Sequence, residues 1–151
     1  MNSENSSNTR SRVVPRWIIA AFLLVSFGGF VDATYLTVKH YSGTPLACSI
    51  FKGCEKVTTS RYAVILGVPL ALFGAVYYLA VFLLSIAYLD VRRQEILSFT
   101  ALFTVVGLLA SAWFVYLQLF VIQAICPYCM VSAIASTILF LLGMYVLKRI
   151  W

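Results

Sequence analysis

Charged residues are scarce in this chain of 151 residues, since Asp, Glu, Lys and Arg together make up only 11% of it. Hydrophobic residues make up 62%, and the mean hydropathy is +0.96. A soluble domain needs a polar surface that this composition does not supply. The composition therefore excludes the soluble globular class and indicates an integral membrane protein.

Several familiar cofactor, metal and transport patterns are also missing. No strand, glycine-rich loop and helix follow one another, as the binding of a nicotinamide dinucleotide would require. A zinc site is disfavoured because five residues separate Cys48 from Cys54 and no short cysteine pair lies in a soluble knuckle. A transporter is disfavoured because no half of the chain repeats and only Asp32 is charged within a span. His40, the only histidine, lies just beyond the first apolar stretch and is interpreted as an interfacial residue.

Four apolar stretches are long enough to cross a bilayer, which needs about 20 helical residues. They comprise residues 17–38, 69–89, 96–122 and 126–147. Pro69 is expected in the first turn of the second span, because proline has no N–H to donate and its φ is already helical. Residues 57–66 then remain as a short amphipathic surface segment. The predicted fold is an all-α four-helix membrane bundle with a long extracytoplasmic first loop that contains a short surface helix.

The distribution of Lys and Arg predicts the orientation, because cytoplasmic loops carry the excess of these residues. Both termini and the second connection carry seven of them, whereas the other side carries four: Lys39, Lys52, Lys56 and Arg61. Both termini are therefore expected in the cytoplasm, with residues 1–16 as a disordered tail and 17–151 as the membrane domain. A cleaved signal peptide ending near Ala33 is disfavoured because the apolar run is long. The net charge of +6 is attributed to topology and to contact with anionic lipid headgroups, and not to nucleic-acid binding.

All four cysteines, Cys48, Cys54, Cys126 and Cys129, fall on the non-cytoplasmic side of this topology. An even number of cysteines on an oxidising face implies disulfide chemistry. Two kinds of disulfide protein remain open at this point. The cysteines either form static structural disulfides or exchange electrons with another molecule.

The stretch Cys126-Pro127-Tyr128-Cys129 favours exchange over a static cross-link. It begins the fourth span, where unsatisfied backbone N–H groups and the helix dipole favour a thiolate. A disulfide across so short a loop gains little from loop-closure entropy. A lipid-soluble quinone entering sideways between helices suits a thiol pair at the membrane boundary. The loop pair has Gly43, Pro45 and Gly53 nearby, which indicates a flexible segment able to meet a soluble protein and then Cys126.

Two stretches, "ACSIFKGCEKVTTSRYAVILGVPLALFG" and "ICPYCMVSAI", resemble the vitamin K epoxide reductase family, in particular its prokaryotic branch. The resemblance implies a four-helix bundle around a quinone, with Cys48 and Cys54 as a shuttle pair. It also implies that Cys54 passes electrons to Cys126 and that Cys129 lies beside the quinone ring. Ser60 and Arg61 match a Ser-Arg pair of the family and are expected to seat the loop over the pocket.

The chain departs from other family members in two respects. Ala133 stands four residues after Cys129, where the animal enzymes that reduce vitamin K epoxide have a tyrosine. Unlike some prokaryotic members, the protein is expected to have no fused thioredoxin-like domain. A thioredoxin-fold redox partner is therefore expected to act in trans.

The sequence thus predicts a membrane thiol–disulfide oxidoreductase that supports disulfide-bond formation. It would take electrons from a thioredoxin-fold partner and pass them to ubiquinone, menaquinone or a related naphthoquinone. A bacterial inner membrane is the expected location, with the cysteines facing the periplasm or exterior. The alternative function is a four-span scaffold with static disulfides. The oligomeric state is left open.

Four polar residues are candidates for the quinone site. Tyr116 and Gln118 approach the outer end of the third span, near the depth of Cys129, where either could donate a hydrogen bond to a quinone carbonyl. Asp32 lies within the first span with Tyr35 on the same helical face, and it is a candidate for proton relay. The alternative for each is an ordinary role at the membrane interface or between helices.

Overall fold

The structure is a computed structural model that describes residues 14–44 and 53–151, apart from the side chain of Glu55. Within these ranges the helices are α1 (Arg16–Ser42), α2 (Gly53–Thr58), α3 (Leu70–Val91), α4 (Gln94–Tyr116) and α5 (Pro127–Ile150). A π-helical segment, Leu117–Ile122, continues α4. A 3-10 helix, Arg61–Ala63, precedes a two-stranded antiparallel hairpin of β1 (Val64–Ile65) and β2 (Val68–Pro69). The predicted tail lies almost wholly outside the described residues, and so does Cys48.

Four helices of the described chain are long and apolar enough to cross a membrane. Their bounds are Arg16–Ser42, Leu70–Val91, Gln94–Ile122 and Pro127–Ile150. They correspond to the four predicted spans, and the prediction of an all-α four-span fold is confirmed. The first helix continues four residues past the predicted end and stops at Gly43, whose positive φ of 62° closes it.

The four long helices pack into one bundle. Helix α1 packs against α3 and α5, and α4 packs against α5 and α3. The core contains Ile18, Phe22, Tyr78, Leu97 and Leu139, each almost completely buried. Large apolar side chains are also exposed along every long helix, as expected for surfaces that face lipid tails. Helix packing leaves the ends of α1 and α4 and the starts of α3 and α5 at one end of the bundle.

The segment before α3 differs from the prediction. Residues 57–66 do not form one surface helix; α2 begins earlier, at Gly53, and ends at Thr58. The Ser60 hydroxyl donates to the Val57 carbonyl at 2.7 Å, a local bond that competes with continuation of the helix. Leu66 and Gly67 then take positive φ values of 52° and 80°, which form the tight hairpin turn. Pro69 is the residue before α3 and not part of its first turn.

Candidate redox site

The Cys126–Cys129 pair lies at the beginning of α5. Cys126 is the N-cap in an extended conformation, and Pro127 is the first helical residue, as predicted. The Met130 N–H donates to the Cys126 carbonyl at 3.0 Å and closes the first turn. Both cysteines are free thiols, with Cys126 fully buried and Cys129 partly buried. The pair can therefore alternate between a dithiol and a disulfide without rebuilding the helix.

The surroundings of Cys126 favour its thiolate. A hydrogen bond from the Cys129 side chain is the main cause that lowers the pKa of Cys126, to about 7. Burial opposes this change, and hydrogen bonds from the backbone N–H groups of Cys129 and Tyr128 add to it. These N–H groups are among the donors that every helix start leaves without an internal partner. Cys126 is therefore the better leaving group and the more readily ionised thiol at neutral pH.

Cys54 and Cys126 share one buried apolar cluster at this end of the bundle. The cluster also contains Val57, Leu117 and Ile122. Helix α2 packs against the π-helical segment, and Gly53 fits so closely that a Cβ there would lie 2.7 Å from the Ile125 carbonyl oxygen. Cys54 is disulfide-bonded. The transfer of electrons from Cys54 to Cys126 expected from the sequence remains a prediction.

The π-helical segment connects α4 to the cysteine pair. It ends at Gln123, whose φ is 56°, and the Ala124 N–H donates to the Gln118 carbonyl at 3.1 Å. The side chain of Gln118 is fully buried, and its Oε1 accepts the Cys126 N–H at 3.0 Å. Gln118 therefore holds the backbone of the N-cap cysteine directly.

An apolar cavity of about 520 Å³ lies on the other side of the pair. Cys129 lines it, whereas Cys54 and Cys126 are not among its lining residues. Its walls come from α1, α3, α4 and α5, and the segment around the 3-10 helix and hairpin closes one side. The lining residues include Leu36, Tyr62, Phe73, Tyr77, Phe103, Trp113, Phe114, Leu117 and Ala133. Cys129 also packs against the cluster of Cys54 and Cys126, so the pair connects that cluster to the cavity.

Two tyrosines of α3 contribute side chains to this cavity. The Tyr78 hydroxyl donates to the Ser132 carbonyl at 2.6 Å and lies 2.9 Å from the hydroxyls of Ser132 and Ser136. The Tyr77 hydroxyl is buried and has no hydrogen-bond partner among the described residues. A buried donor without a partner is costly, so this hydroxyl is ready to bind an acceptor placed in the cavity.

None of the four residues predicted from the sequence to bind quinone lines this cavity. Tyr116 is 48% exposed and packs between Trp113 and Phe120. The Tyr35 ring lies 5.3 Å from that of Tyr128. The Gln118 side chain accepts the Cys126 N–H and does not reach the cavity.

Asp32 has one buried carboxylate oxygen, Oδ2, without a partner among the described residues. Its assignment to proton relay remains a prediction.

Ser60 and Arg61 do not line the cavity, although they lie between lining residues in the sequence. Ser60 precedes the 3-10 helix and Arg61 is its exposed first residue. The residues that follow, Tyr62, Ala63 and Ile65, line the cavity. The predicted role of the Ser-Arg pair in seating the loop over the pocket remains a prediction.

Sequence reasoning missed Tyr77, Tyr78, Ser132 and Ser136. One signal for the serines was present, because Cys129, Ser132 and Ser136 are spaced by three and four residues and therefore share one face of α5. The tyrosines gave no comparable signal, since aromatic residues are common throughout the spans.

Comparison with known proteins covers most of the chain. The model of the vitamin K epoxide reductase family matches residues 20–144. The thiol-disulfide oxidoreductase LTO1 of Arabidopsis thaliana is 36% identical over 121 residues, which cover 75% of this chain. The match covers 32% of that protein, so the chain spans about a third of the length of the relative.

Proposed function

The chain belongs to the vitamin K epoxide reductase family, and we propose that it is a membrane thiol–disulfide oxidoreductase that passes electrons from a thioredoxin-fold protein to a quinone. The loop cysteines receive the electrons, and the pair at the start of α5 transfers them to the quinone. The similarity to a plant thiol-disulfide oxidoreductase supports the thiol chemistry.

One observation carries the proposal: Cys129 packs against the cluster that contains Cys54 and Cys126 and also lines the cavity, so the α5 pair connects the two. Cys126 lies in the cluster that contains Cys54, whereas Cys129 lines the apolar cavity. A relay between a protein disulfide and a membrane-soluble acceptor needs one thiol that contacts the protein cysteine and one that contacts the acceptor. The free state of both thiols argues against a static cross-link at this pair.

The exchange steps follow from this placement. A dithiol partner reduces the disulfide of Cys48 and Cys54 and leaves as a disulfide. The Cys54 thiolate then attacks the sulfur of Cys126 in the oxidised α5 pair, and the Cys126–Cys129 bond breaks with Cys129 as leaving thiolate. Cys48 attacks Cys54 in the mixed disulfide and releases Cys126, whose lowered pKa makes it a good leaving group. The loop disulfide has re-formed, and the α5 pair is now a dithiol.

The cavity suits a quinone ring. Its volume falls within the range of about 300–1,000 Å³ typical of small-molecule sites, and its lining is almost entirely apolar. A bound quinone would accept two electrons and two protons as Cys126 and Cys129 return to a disulfide. Tyr77 places a free hydroxyl donor in the same cavity, where it would bind a carbonyl oxygen. Ubiquinone, menaquinone and related naphthoquinones all have such a carbonyl.

The proposed location is a bacterial inner membrane with both termini in the cytoplasm. Arg16, Arg92, Arg93, Lys148 and Arg149 lie at or beyond the span ends opposite the cysteine end of the bundle, and such clusters remain cytoplasmic. A membrane-impermeant maleimide applied to intact spheroplasts should label a cysteine placed at Ile125 and not one placed at Asp90. Labelling of Asp90→Cys alone would reverse the orientation.

Purified protein, a reduced thioredoxin-fold protein and a short-chain quinone test the function. Wild-type protein should oxidise the partner only when quinone is present. Cys126→Ala and Cys129→Ala should each abolish this turnover, and Cys48→Ala, which lacks the thiol that resolves it, should accumulate a Cys54–Cys126 mixed disulfide. Normal quinone-dependent turnover by either alanine variant would refute the proposal.

A further inference from the structure

Gln118 is tied twice to the stretch that leads into the cysteine pair. Its backbone carbonyl accepts the Ala124 N–H at 3.1 Å, and its side-chain Oε1 accepts the Cys126 N–H at 3.0 Å. Its side chain is fully buried, although a glutamine ordinarily prefers solvent. The π-helical segment points Leu117 and Gln118 inward while Tyr116, Leu119 and Phe120 remain exposed.

The hydrogen bond to Cys126 determines which atom of the Gln118 amide has no partner. A backbone N–H can only donate, so the atom facing it must be the oxygen of the Gln118 amide. The Nε2 group, with two N–H donors, therefore points elsewhere. It has no hydrogen-bond partner among the described residues. Leaving such a buried donor unsatisfied costs about 1–3 kcal/mol.

The neighbourhood of Gln118 contains the atoms that become charged during exchange. Cys126, bonded to Gln118, shares its buried cluster with Cys54. Thiol–disulfide exchange places negative charge on the attacking and leaving sulfurs. In an apolar cluster a thiolate without a donor is strongly disfavoured, and a fixed amide N–H stabilises developing charge without rearrangement.

We propose that Gln118 is a positioning residue for the disulfide exchange between Cys54 and Cys126. Its oxygen holds the backbone of Cys126, and its Nε2 donates a hydrogen bond to the sulfur that carries negative charge as the bond passes between the two cysteines. The inference rests on the proposed thiol relay. It also gives Gln118 a role separate from quinone binding, because Gln118 does not line the cavity.

Gln118→Asn and Gln123→Asn form a matched pair of variants. Each shortens an amide side chain by one methylene, but Gln123 is exposed, and asparagine tolerates its positive φ. In a Cys129→Ala background with the loop disulfide intact, the Cys126 thiolate attacks Cys54 and releases Cys48 as a thiolate, and the formation rate of this Cys54–Cys126 mixed disulfide is measured. Gln118→Asn should slow it roughly 10- to 100-fold, as expected for loss of a hydrogen bond to a charged group. Gln123→Asn should leave it unchanged.

Gln118→Glu separates positioning from a merely structural role. A protonated glutamic acid keeps one acceptor and one donor, whereas the carboxylate offers no donor and repels a thiolate. Burial raises the pKa of such a carboxyl group, so exchange should approach the wild-type rate at low pH and fall as the carboxyl ionises. Exchange rates are compared with wild type at each pH, so that the titration of the thiols themselves cancels.

The outcomes distinguish this inference from its alternatives. Unchanged exchange in Gln118→Asn would overturn it, and so would an increase in the KM for quinone with normal exchange. Equal losses in Gln118→Asn and Gln118→Glu with no pH-dependent recovery would show a structural role only and would also overturn it. The exchange assay contains no quinone, so failure of quinone turnover in the wild-type protein would reject the proposed function without deciding the role of Gln118.

Discussion

Replacing Gly53 with alanine should weaken the contact that brings Cys54 to Cys126. An alanine Cβ would lie 2.7 Å from the Ile125 carbonyl oxygen, 3.0 Å from the Ile125 nitrogen and 3.4 Å from the Ala124 Cβ. The two nearest atoms belong to the backbone immediately before Cys126, and they cannot rotate away as a side chain could. Helix α2 would have to move outward by several tenths of an ångström, and Cys54 would move with it.

The size of the effect follows from two opposing contributions. Overpacking a well-fitted contact typically costs about 1–3 kcal/mol. Alanine is better than glycine in a helix by roughly 1 kcal/mol, but this gain applies to α2 whether or not it is docked against Ile125. The docking equilibrium should therefore bear the overpacking cost, which corresponds to a decrease of about 5- to 150-fold in the equilibrium constant for the Cys54–Cys126 disulfide.

The assay uses a protein in which Cys48 and Cys129 are both replaced with alanine, so that Cys54 and Cys126 are the only remaining thiols. It is equilibrated in glutathione buffers of graded ratio, and free thiols are alkylated and counted by mass. Gly28→Ala is the control, because a Cβ at Gly28 in α1 meets nothing within 4 Å. The Gly53→Ala curve should shift and the Gly28→Ala curve should not. Coincident curves for Gly53→Ala and its parent would refute the proposed docking of α2.

Three further predictions concern the cavity and the α5 pair. Tyr77→Phe removes the unpartnered hydroxyl and should raise the KM for quinone about 2- to 10-fold without changing the exchange between Cys54 and Cys126, as steady-state and trapping assays would show. In the reduced protein the alkylation rate of Cys126 should rise with pH through about 7 and level off above it, because only the thiolate reacts. Cys129→Ala removes the main cause of the low pKa of Cys126 and should move this rise to higher pH. Tyr78→Phe breaks the bonds to Ser132 and should lower the free energy of unfolding by about 1–3 kcal/mol, measurable as a lower Tm in detergent; an unchanged Tm would contradict the bracing role of this hydroxyl.

The architecture could be predicted from the sequence because span length and apolar composition are set by the bilayer itself. The same apolar composition makes it difficult to predict which side chains are buried in the bundle. Leu24 and Leu139 are equally apolar, yet Leu24 is 73% exposed and Leu139 is fully buried. With apolar residues on both the lipid face and the core face, periodicity does not reveal which side of a helix points inward. The cavity and its Tyr77 hydroxyl were therefore beyond the reach of the sequence.

Within the site, too, some backbone features could be predicted from the sequence and others could not. Pro127 correctly predicted the start of α5, because proline at the first helical position is a strong local signal. The π-helical segment carries no such signal, and its consequence is long-range: Gln118 turns away from the cavity and toward Cys126. The role expected for Gln118 from its depth in the span differs for this reason from the one we infer from its contacts.

The position of the Cys-x-x-Cys at a helix start explains how one pair serves two partners. Three residues apart within a helix, two side chains would share one face and one environment. Cys126 instead precedes the helix, with φ and ψ of −101° and 116°, and lies in the cluster beside α2, where its side chain still accepts a hydrogen bond from Cys129. Cys129, inside the first turn, lines the cavity. The N-cap position thus lets Cys126 belong to the cluster with Cys54 while Cys129 lines the cavity, with the two side chains still in contact.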